Sequence, residues 1–572
     1  MATASTKSRS RKRKRECDVV ASRMNAAKPV SHESQRVDLS ERQWRISSLC
    51  ILVVAAILRL YNLNLVPFHH DEGVNGNFLV RLVRDGVYNY DPSNYHGPTI
   101  YYFSAIIPWT LRFFFGASAQ NTYGLNTVTV RLVPAIFGLA TVWLVLTLRR
   151  RLGTVGTLCA AALLAASPGA VYLSRYFIHE TLFVFFTLGI VVAGLKYYED
   201  GHPVYLVLTS ASAALLFATK ETAVISVSVL GIALATTHLY RWLRTRFMPW
   251  DRKDRQRTTS TLEAATHKRQ NAFERPGGTQ TLVILSLVAV AIFIGINVLF
   301  YSSFFTNYPK GVYDAVKTFQ FWTKTGKEAH VHPPSTYIWW LLRQESPLLF
   351  LGLIGAVLVV WKPRNAFALF SALSAFGLLA AYSLIQYKTP WLILNFIVPL
   401  ALIGGYSLQV LWDERLGRLR LIIAIMVIGL GINLYQTIDL NFFNYDNDDQ
   451  YYVYVYAHTR RETLALVDEI NRIAQLTGQG GQTGITIVSP DYWPLPWYLR
   501  DYTRVGYHGH ISTTNEPIIL ASESQGAEVQ SMFGDRYEQK NSGFNAAESY
   551  PLRPGVNLLL YVRRDVLGQL PR

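Results

Sequence analysis

Charge is scarce in this chain. Only 16% of its 572 residues are Asp, Glu, Lys or Arg, against about 25% in a typical soluble protein. With 50% hydrophobic residues, that deficit excludes both a soluble enzyme and a disordered protein. Cysteine is scarcer still: Cys17, Cys50 and Cys159 are the only three. Cys17 lies in a polar tail and the other two in apolar stretches, so a disulfide scaffold is excluded and no bridge is expected. No internal repeat is visible. A cleavable signal peptide is not expected, because the first apolar run starts only near Ile46 and is long enough to span.

Long apolar runs are what the chain has in abundance. ILVVAAIL (51–58), VWLVLTL (142–148) and LIIAIMVIGLGINL (421–434) are examples. A membrane span needs about 20 mostly apolar residues, and many windows here qualify. The expected class is a polytopic helical membrane protein. The formal charge of +17 is concentrated: residues 1–45 hold twelve Lys/Arg against five Asp/Glu, and residues 241–278 hold ten against four. Both segments flank apolar spans, as cytoplasmic segments do. The run Lys12, Arg13, Lys14, Arg15 has the look of a nuclear signal or an RNA arm. Its place beside a span favours a disordered cytoplasmic anchor near anionic lipid, with no nucleic-acid partner.

Charge also orients the thread. Span 1 is placed at 46–66, with the basic tail 1–45 inside. If residues 97–116 crossed the membrane, the next span would deliver Arg149, Arg150 and Arg151 to the outside, against the positive-inside rule. Residues 68–127 are therefore read as one long outer loop, with 97–116 at the interface. Spans follow at 128–148, 153–173, 178–195, 203–219, 222–240, 279–301, 347–361, 365–386, 390–412 and 421–438. That makes about eleven transmembrane helices, forming a domain over 46–439 with a basic cytoplasmic loop at 241–278 and a polar outer loop at 302–346. Residues 440–572 are left outside as a small α/β domain. Thr459-Arg460-Arg461-Glu462 has capping-box spacing. Leu464, Val467, Ile470, Ile473 and Ala474 then repeat at helical spacing up to Gly478. Ile485–Val488 and Leu558–Val562 read as buried strands.

This topology gathers unusual ionisable groups on the outer side: Asp71, Glu72, Arg131, Arg175, Glu180, Lys220, Glu221 and Lys388. Charges near membrane depth are costly and default to functional candidates. Any one of them also fits an interfacial snorkel or a structural ion pair; eight on one side point to an outward-facing polar cavity. The densest cluster is His69-His70-Asp71-Glu72. It could bind a divalent cation or supply a general base. Four adjacent residues on one element do not all face one point, so this stretch alone is not expected to coordinate a metal. The turn-forming aromatic segments Tyr88-Asn89-Tyr90-Asp91-Pro92 and Tyr95-His96-Gly97-Pro98 fit a carbohydrate or headgroup site, or a plain interfacial turn.

Six segments in order carry a resemblance: HHDEGVNG (69–76), YNYDPSNYHGPTIYY (88–102), RLVPAIFG (131–138) running to RRRLG (149–153), SRYFIHE (174–180), FATKET (217–222) and QYKTPWL (386–392). The pattern resembles the polytopic GT-C membrane glycosyltransferases, especially the protein mannosyltransferase and aminoarabinose transferase branch (glycosyltransferase family 39-like). It is also similar to a flippase-activity-associated family of N-glycosylation gene clusters. The likeness covers about residues 46–400, and WPLPWYLRDY (493–502) also fits that family.

The resemblance implies a polyprenyl-phosphate sugar donor and transfer with inversion on the outer face. The acceptor would be a glycan, a lipid or a protein. Asp71 corresponds to the catalytic base of the first outer loop and Glu72 to the second acid of an acidic pair. Glu180 corresponds to an acid on the next outer loop. Such chemistry needs a carboxylate to deprotonate the incoming hydroxyl and cations to stabilise the departing phosphate. Lys388 is the first choice for that cation, with Arg131, Arg175 and Lys220 as alternatives. His70, Tyr90, Asp91, His96, Glu221 and Trp391 join the candidate substrate-binding set. Trp493, Trp497, Tyr498 and Arg500 could stack on a sugar or dock the C-terminal domain. The loop 302–346, with Lys324, Lys327, His330 and His332, could gate the cavity.

Two other functions fit less of this pattern. A non-catalytic flippase-associated protein would keep the fold without needing Asp71 as a base. A transporter would show inverted repeats and midplane charges, and neither is present in the sequence.

Overall fold

A computed structural model describes residues 39–568, apart from 95, 117–123, 248–277, 326–329, 364, 415–418 and 448–450. Cys17, most of the basic tail 1–45, Tyr95, most of the basic block 241–278 and Lys327 lie outside the described residues. Glu41–Arg572 forms one unit.

Eight helices are long and apolar enough to cross a membrane, and up to ten spans result if each of two bent pairs counts as one. Each of the eleven expected spans coincides with one of these helices, with a bent pair, or with the shorter apolar helix Pro203–Phe217. The helix Leu394–Glu414 is the hub, packed against Thr154–Ala165, Ser346–Trp361 and Ala366–Leu384. Its apolar window is 89% buried, whereas no residue of that in Val283–Tyr301 is fully buried. Small residues allow the hub its close contacts. A Cβ on Gly156 would meet the Gly405 carbonyl at 2.9 Å, and one on Gly355 would overlap Ile403. Membrane helices associate through such small-residue contacts because lipid supplies no hydrophobic drive between them.

The bent pair Thr154–Ala165 and Pro168–Ser174 turns by 57°. Charge supports both broken ends. Arg59 donates to the carbonyls of Ala165 at 3.0 Å and Leu164 at 3.2 Å. Glu345 accepts from Gly169 N–H at 2.8 Å and from the Ser167 hydroxyl at 2.9 Å. Carbonyls at a helix C-terminus attract a cation, and N–H groups at an N-terminus attract an anion. Neither Arg59 nor Glu345 stood out in the sequence.

The stretch 68–127, expected as one outer loop, contains two helices, His70–Asp85 and Thr99–Phe115. His69 caps the first: its side chain accepts from Asp71 N–H, Glu72 accepts from His69 N–H, and Gly86 closes the helix at φ +67°. Gly73 and Gly76 weaken helix propensity and hid the helix from a sequence reading. Both glycines serve the docking of the C-terminal domain. A Cβ at Gly73 would stand 2.7 Å from Pro494, and one at Gly76 would stand 2.6 Å from the Trp497 ring. The polar stretch 302–346 is likewise helical in part, over Lys310–Thr325 and Thr336–Gln344.

The C-terminal region carries a six-stranded sheet of order β2-β1-β3-β6-β4, with β5 also on β6. The strands are β1 Ile485–Ile487, β2 Val505–Tyr507, β3 Ile518–Ser522, β4 Tyr537–Gln539, β5 Tyr550–Arg553 and β6 Val556–Arg563. β1 pairs in parallel with β2 and β3; the pairs with β6 are antiparallel. Side chains alternate between two faces, as strand geometry requires. Ile485, Ile487, Ile518 and Leu520 pack on one side with Leu466, Ile470 and Ile473 of the helix Thr463–Leu476. Ile519, Leu559 and Tyr561 pack on the other with Val529 and Phe533. The expected capping box at 459–462 does not form. Thr459 donates to the Phe68 carbonyl at 2.8 Å instead, and Glu462 gives the helix no side-chain cap. A tertiary partner has replaced the local one.

The described basic helix ends gather on one face of the bundle. Arg149 pairs with Glu41 at 2.7 Å and stacks on Trp44. Arg151 pairs with Glu199, and Arg244 donates to the Trp361 carbonyl at 2.6 Å. The polar segments 69–72, 175–180 and 220–221 sit at the opposite helix ends.

Candidate active site

The two carboxylates of the Asp71-Glu72 pair have opposite surroundings. Glu72 is fully buried. Arg131 grips it with a fork, Nε at 2.7 Å and Nη2 at 2.5 Å. The backbone N–H groups of Phe177 and His69 add bonds of 2.7 and 2.9 Å. Arg131 spends its remaining donors on the carbonyls of Leu63, Val66 and Pro67. Such a network fixes the entry to the helix His70–Asp85, the start of the helix Thr127–Leu146 and the 175–180 turn against one another. Arg175 is engaged too, donating to the carbonyls of Tyr61 at 2.6 Å and Asn62 at 3.0 Å just beyond the helix Glu41–Leu60.

Asp71 sits one residue away on the same helical turn, half-buried. Its carboxylate takes no hydrogen bond or ion pair among the described residues. Its field acts on His70, His330, Tyr387 and Tyr456, which mark out the space it faces. His330 bonds the Tyr456 hydroxyl at 2.7 Å and lies edge-on to Tyr387, centroids 5.3 Å apart. Trp391 stands 6.1 Å from Tyr456 and 6.5 Å from His69. Burial pushes the Tyr387 hydroxyl up to about 12, with Lys220 opposing and Asp71, Glu180 and Glu221 adding to the rise. Tyr387 therefore links Asp71 to a second charged group.

That second group is built where two loops meet. His96 and Lys220 form an isolated antiparallel bridge. Gly97 N–H donates to Thr219 at 3.0 Å. A Cβ on Gly97 would overlap the Ala218 carbonyl, so only glycine permits this approach. The bridge delivers Lys220 to Glu180 at 2.6 Å, each side chain 6% exposed, and His96 to Glu221 at 3.4 Å. Burial by itself would lower the Lys220 ammonium; Glu180 and Glu221 outweigh it and hold the group above its ordinary range. Burial would raise the Glu221 carboxyl, and His96 and Lys220 bring it below that range. His179 Nε2 donates to the Gly97 carbonyl beside this bridge at 3.0 Å.

Lys388 is reached from another loop. Val331 and Tyr387 form an antiparallel bridge. Lys388 N–H donates to His330 at 3.0 Å. Its ammonium bonds the carbonyls of His332 at 3.1 Å and of Ile385. No carboxylate among the described residues neutralises it, and burial lowers its pKa. His330 and His332 of the 302–346 stretch are thus fixed at the rim by backbone pairing.

Other candidates fall elsewhere. Tyr90 is packed inside, bonded to Thr318 at 2.5 Å. Asp91 folds onto its own turn, accepting from Ser93 N–H at 2.9 Å. Trp497 is 1% exposed and stacks on Phe68, centroids 4.4 Å apart. Tyr498 donates its hydroxyl to no distant ligand but meets Phe68 N–H at 2.7 Å. Arg500 donates to Trp497 at 2.6 Å and to Leu125 at 3.0 Å. Of the two roles open to Trp497, Tyr498 and Arg500, these contacts perform docking. The four-residue cluster 69–72 does not converge as a metal site: His69 and Glu72 are spent on protein groups, leaving His70 and Asp71. Among the described residues no group of three or more His, Cys, Asp or Glu is placed to hold a metal.

Known structures share this architecture. The chain superposes on ArnT from Cupriavidus metallidurans in the apo state with a TM-score of 0.57 at 13% identity, covering 93% of this chain and 99% of ArnT. ArnT bound to undecaprenyl phosphate gives 0.56 at 13% identity, over 91% and 98%. The Archaeoglobus fulgidus oligosaccharyltransferase tethered with an acceptor peptide gives 0.51 at 12% identity, over 88% of this chain and 69% of that one. Residues 105–250 match the family model for dolichyl-phosphate-mannose-protein mannosyltransferase. No curated protein matches by sequence. The fold is therefore the GT-C architecture of polytopic membrane glycosyltransferases, with the expected C-terminal α/β domain.

Proposed function

We propose that this protein transfers a sugar, in this reading a hexose, from a polyprenyl-phosphate donor to an acceptor hydroxyl on the extracytoplasmic face. The observation that carries the reading is the free, half-buried carboxylate of Asp71 on the first helix after span 1 of a GT-C fold. The similar structures bound to undecaprenyl phosphate or dolichol-phosphate support the donor class. Asp71 takes the acceptor proton, the acceptor oxygen forms the new bond to the anomeric carbon, and polyprenyl phosphate leaves from the opposite side. That single displacement inverts the anomeric centre.

The leaving phosphate needs a cation that is not already neutralised. Arg131 belongs to Glu72 and Lys220 to Glu180, and Arg175 is spent on carbonyls. Lys388, 1% exposed, has only carbonyl partners and follows Tyr387, on which the field of Asp71 acts, so it is assigned to the phosphate. Glu72 is assigned a positioning role, because its oxygens are filled. Glu180 and Lys220 form one wall of the site, and Trp391 another. The gathering of the basic helix ends on one face supports a cytoplasmic N-terminus, with the site and the C-terminal domain extracytoplasmic.

The test is sugar transfer by purified protein in proteoliposomes, with a panel of polyprenyl-phosphate sugars, comparing wild type with Asp71→Asn. Transfer lost in the variant supports the reading. Inertness of wild type with every donor would favour a non-catalytic, flippase-associated role.

A further inference from the structure

His69 and His70 are adjacent, yet their rings have different fates. His69 is used at both nitrogens. Nδ1 accepts from Asp71 N–H at 3.1 Å, which leaves Nε2 to donate to the Tyr456 carbonyl at 3.0 Å. His70 is engaged at one nitrogen. Its Nδ1 lies 3.1 Å from Nη1 of Arg553, the last residue of β5. A guanidinium has five donors, no acceptor, and does not deprotonate in proteins. Nδ1 must therefore be the acceptor, and the ring proton sits on Nε2. The same Arg553 is anchored through Nη2 to Asp491, and Nη1 also reaches the Trp493 carbonyl at 3.5 Å. Asp491 and Trp493 follow β1 on the edge of the C-terminal domain that meets the helix His70–Asp85. The His70 Nε2 has no partner among the described residues, and it is not one of the sealed polar atoms without one.

We propose that the C-terminal domain completes the site through Asp491 and Arg553. They lock His70 as a neutral Nε2–H donor beside Asp71, and that donor holds an oxygen of the acceptor. The assignment of the oxygen to the acceptor rests on the transferase reading above; the tautomer does not. A neutral imidazole with Nδ1 occupied cannot take a proton from the acceptor, which leaves that task to Asp71. It can only donate, and the molecule it must orient is the one Asp71 deprotonates. Arg553 and Asp491 touch no reacting atom and are positioning residues. The titratable and charged groups facing His70 are His69 and Asp71 on its own element and Arg553 and Asp491 from the C-terminal domain. Burial dominates, lowering the imidazole to about 4, with His69 and Arg553 adding to the fall and Asp71 and Asp491 opposing. Across neutral pH the ring stays uncharged.

Arg553→Met and Arg553→Lys separate this role from simple packing. In the methionine variant the unpaired Asp491 faces a ring freed at Nδ1, so the imidazole pKa rises. The expected result is a roughly tenfold higher acceptor KM with donor KM unchanged, and an acid limb in kcat/KM for the acceptor that lies at higher pH than in wild type. Lysine keeps a cationic donor at Nδ1 and should restore the wild-type profile. Equal rises in both KM values, or a pH profile unchanged in Arg553→Met, would overturn the proposal. A second readout needs no turnover: magic-angle-spinning 15N spectra of histidine-labelled protein in bilayers, with His70 assigned by its loss in His70→Gln. The expected His70 signals are those of the Nε2–H tautomer down to pH 5. An Nδ1–H or charged ring would overturn the proposal even where wild type transfers sugar. The Nε2–H signals in an inert wild type would instead uphold the lock and count against the transferase reading.

Discussion

Two parts of the polar layer at one end of the helix bundle use the same residue types to opposite ends. Around Glu72 every donor and acceptor is spent: an arginine fork, two backbone N–H groups and three carbonyls close on one another. Around Asp71 the layer stays open, with a free carboxylate, a histidine engaged at one nitrogen and a lysine held only by carbonyls. The difference shows that charge near membrane depth is not by itself a mark of chemistry. A buried ion pair that satisfies all its lone pairs is a structural rivet. A half-buried carboxylate without a protein partner is a candidate for chemistry instead.

The comparison can be broken from either side. The largest effect expected is on turnover: Asp71→Asn removes the base and should lower transfer about 10²–10⁴-fold, with the melting temperature unchanged. Proteoliposome assays beside thermal unfolding in detergent check both halves. Glu72→Gln should do the reverse. It leaves the Arg131 guanidinium buried and unneutralised, a defect of about 3–5 kcal/mol, read as a lower melting temperature and poor yield. If Glu72→Gln were stable and specifically inactive, the rivet assignment would fail.

Lys220→Met sharpens the comparison at its boundary. The Lys220–Glu180 pair is slightly more exposed than Arg131–Glu72, so losing its charged hydrogen bond should cost less, about 1.5–3 kcal/mol. Equal destabilisation by Lys220→Met and Glu72→Gln in chemical unfolding would merge the two regions. Gly97→Ala tests the loop junction that brings His96 to Lys220. Its Cβ has no room beside Ala218, and the strain of such overpacking is about 1–3 kcal/mol. Separation of the loops should appear as faster labelling of a cysteine placed at Thr219; an unchanged rate would show that the junction can yield.

Much of this was legible in the chain. Apolar runs marked the helices because 20 residues of lipid-compatible side chains are hard to produce by chance. The charge at their ends gave a thread on which Asp71, Glu180, Lys220 and Lys388 share a face. The helix His70–Asp85 was not legible, since its two glycines argue against a helix until Pro494 and Trp497 are seen to need the space. Tyr90, Asp91, Trp497 and Arg500 looked equal to the other candidates, because residue type does not reveal whether a polar atom is already satisfied. Arg59 and Glu345 looked like ordinary residues near span ends; only the bend at 165–168 gives them their carbonyl and N–H partners.

The sequence by itself determined a polytopic membrane protein, its long apolar helices, its C-terminal α/β domain and the gathering of its unusual charged residues at one end of those helices. Those properties follow from local hydropathy and from charge counted along the chain, and both are additive over short windows. Tertiary structure alone decided which charges cancel. Glu72 meets Arg131 across 59 positions and His70 meets Arg553 across 483. Such pairings depend on helix packing and domain docking, and no window of the sequence contains both partners.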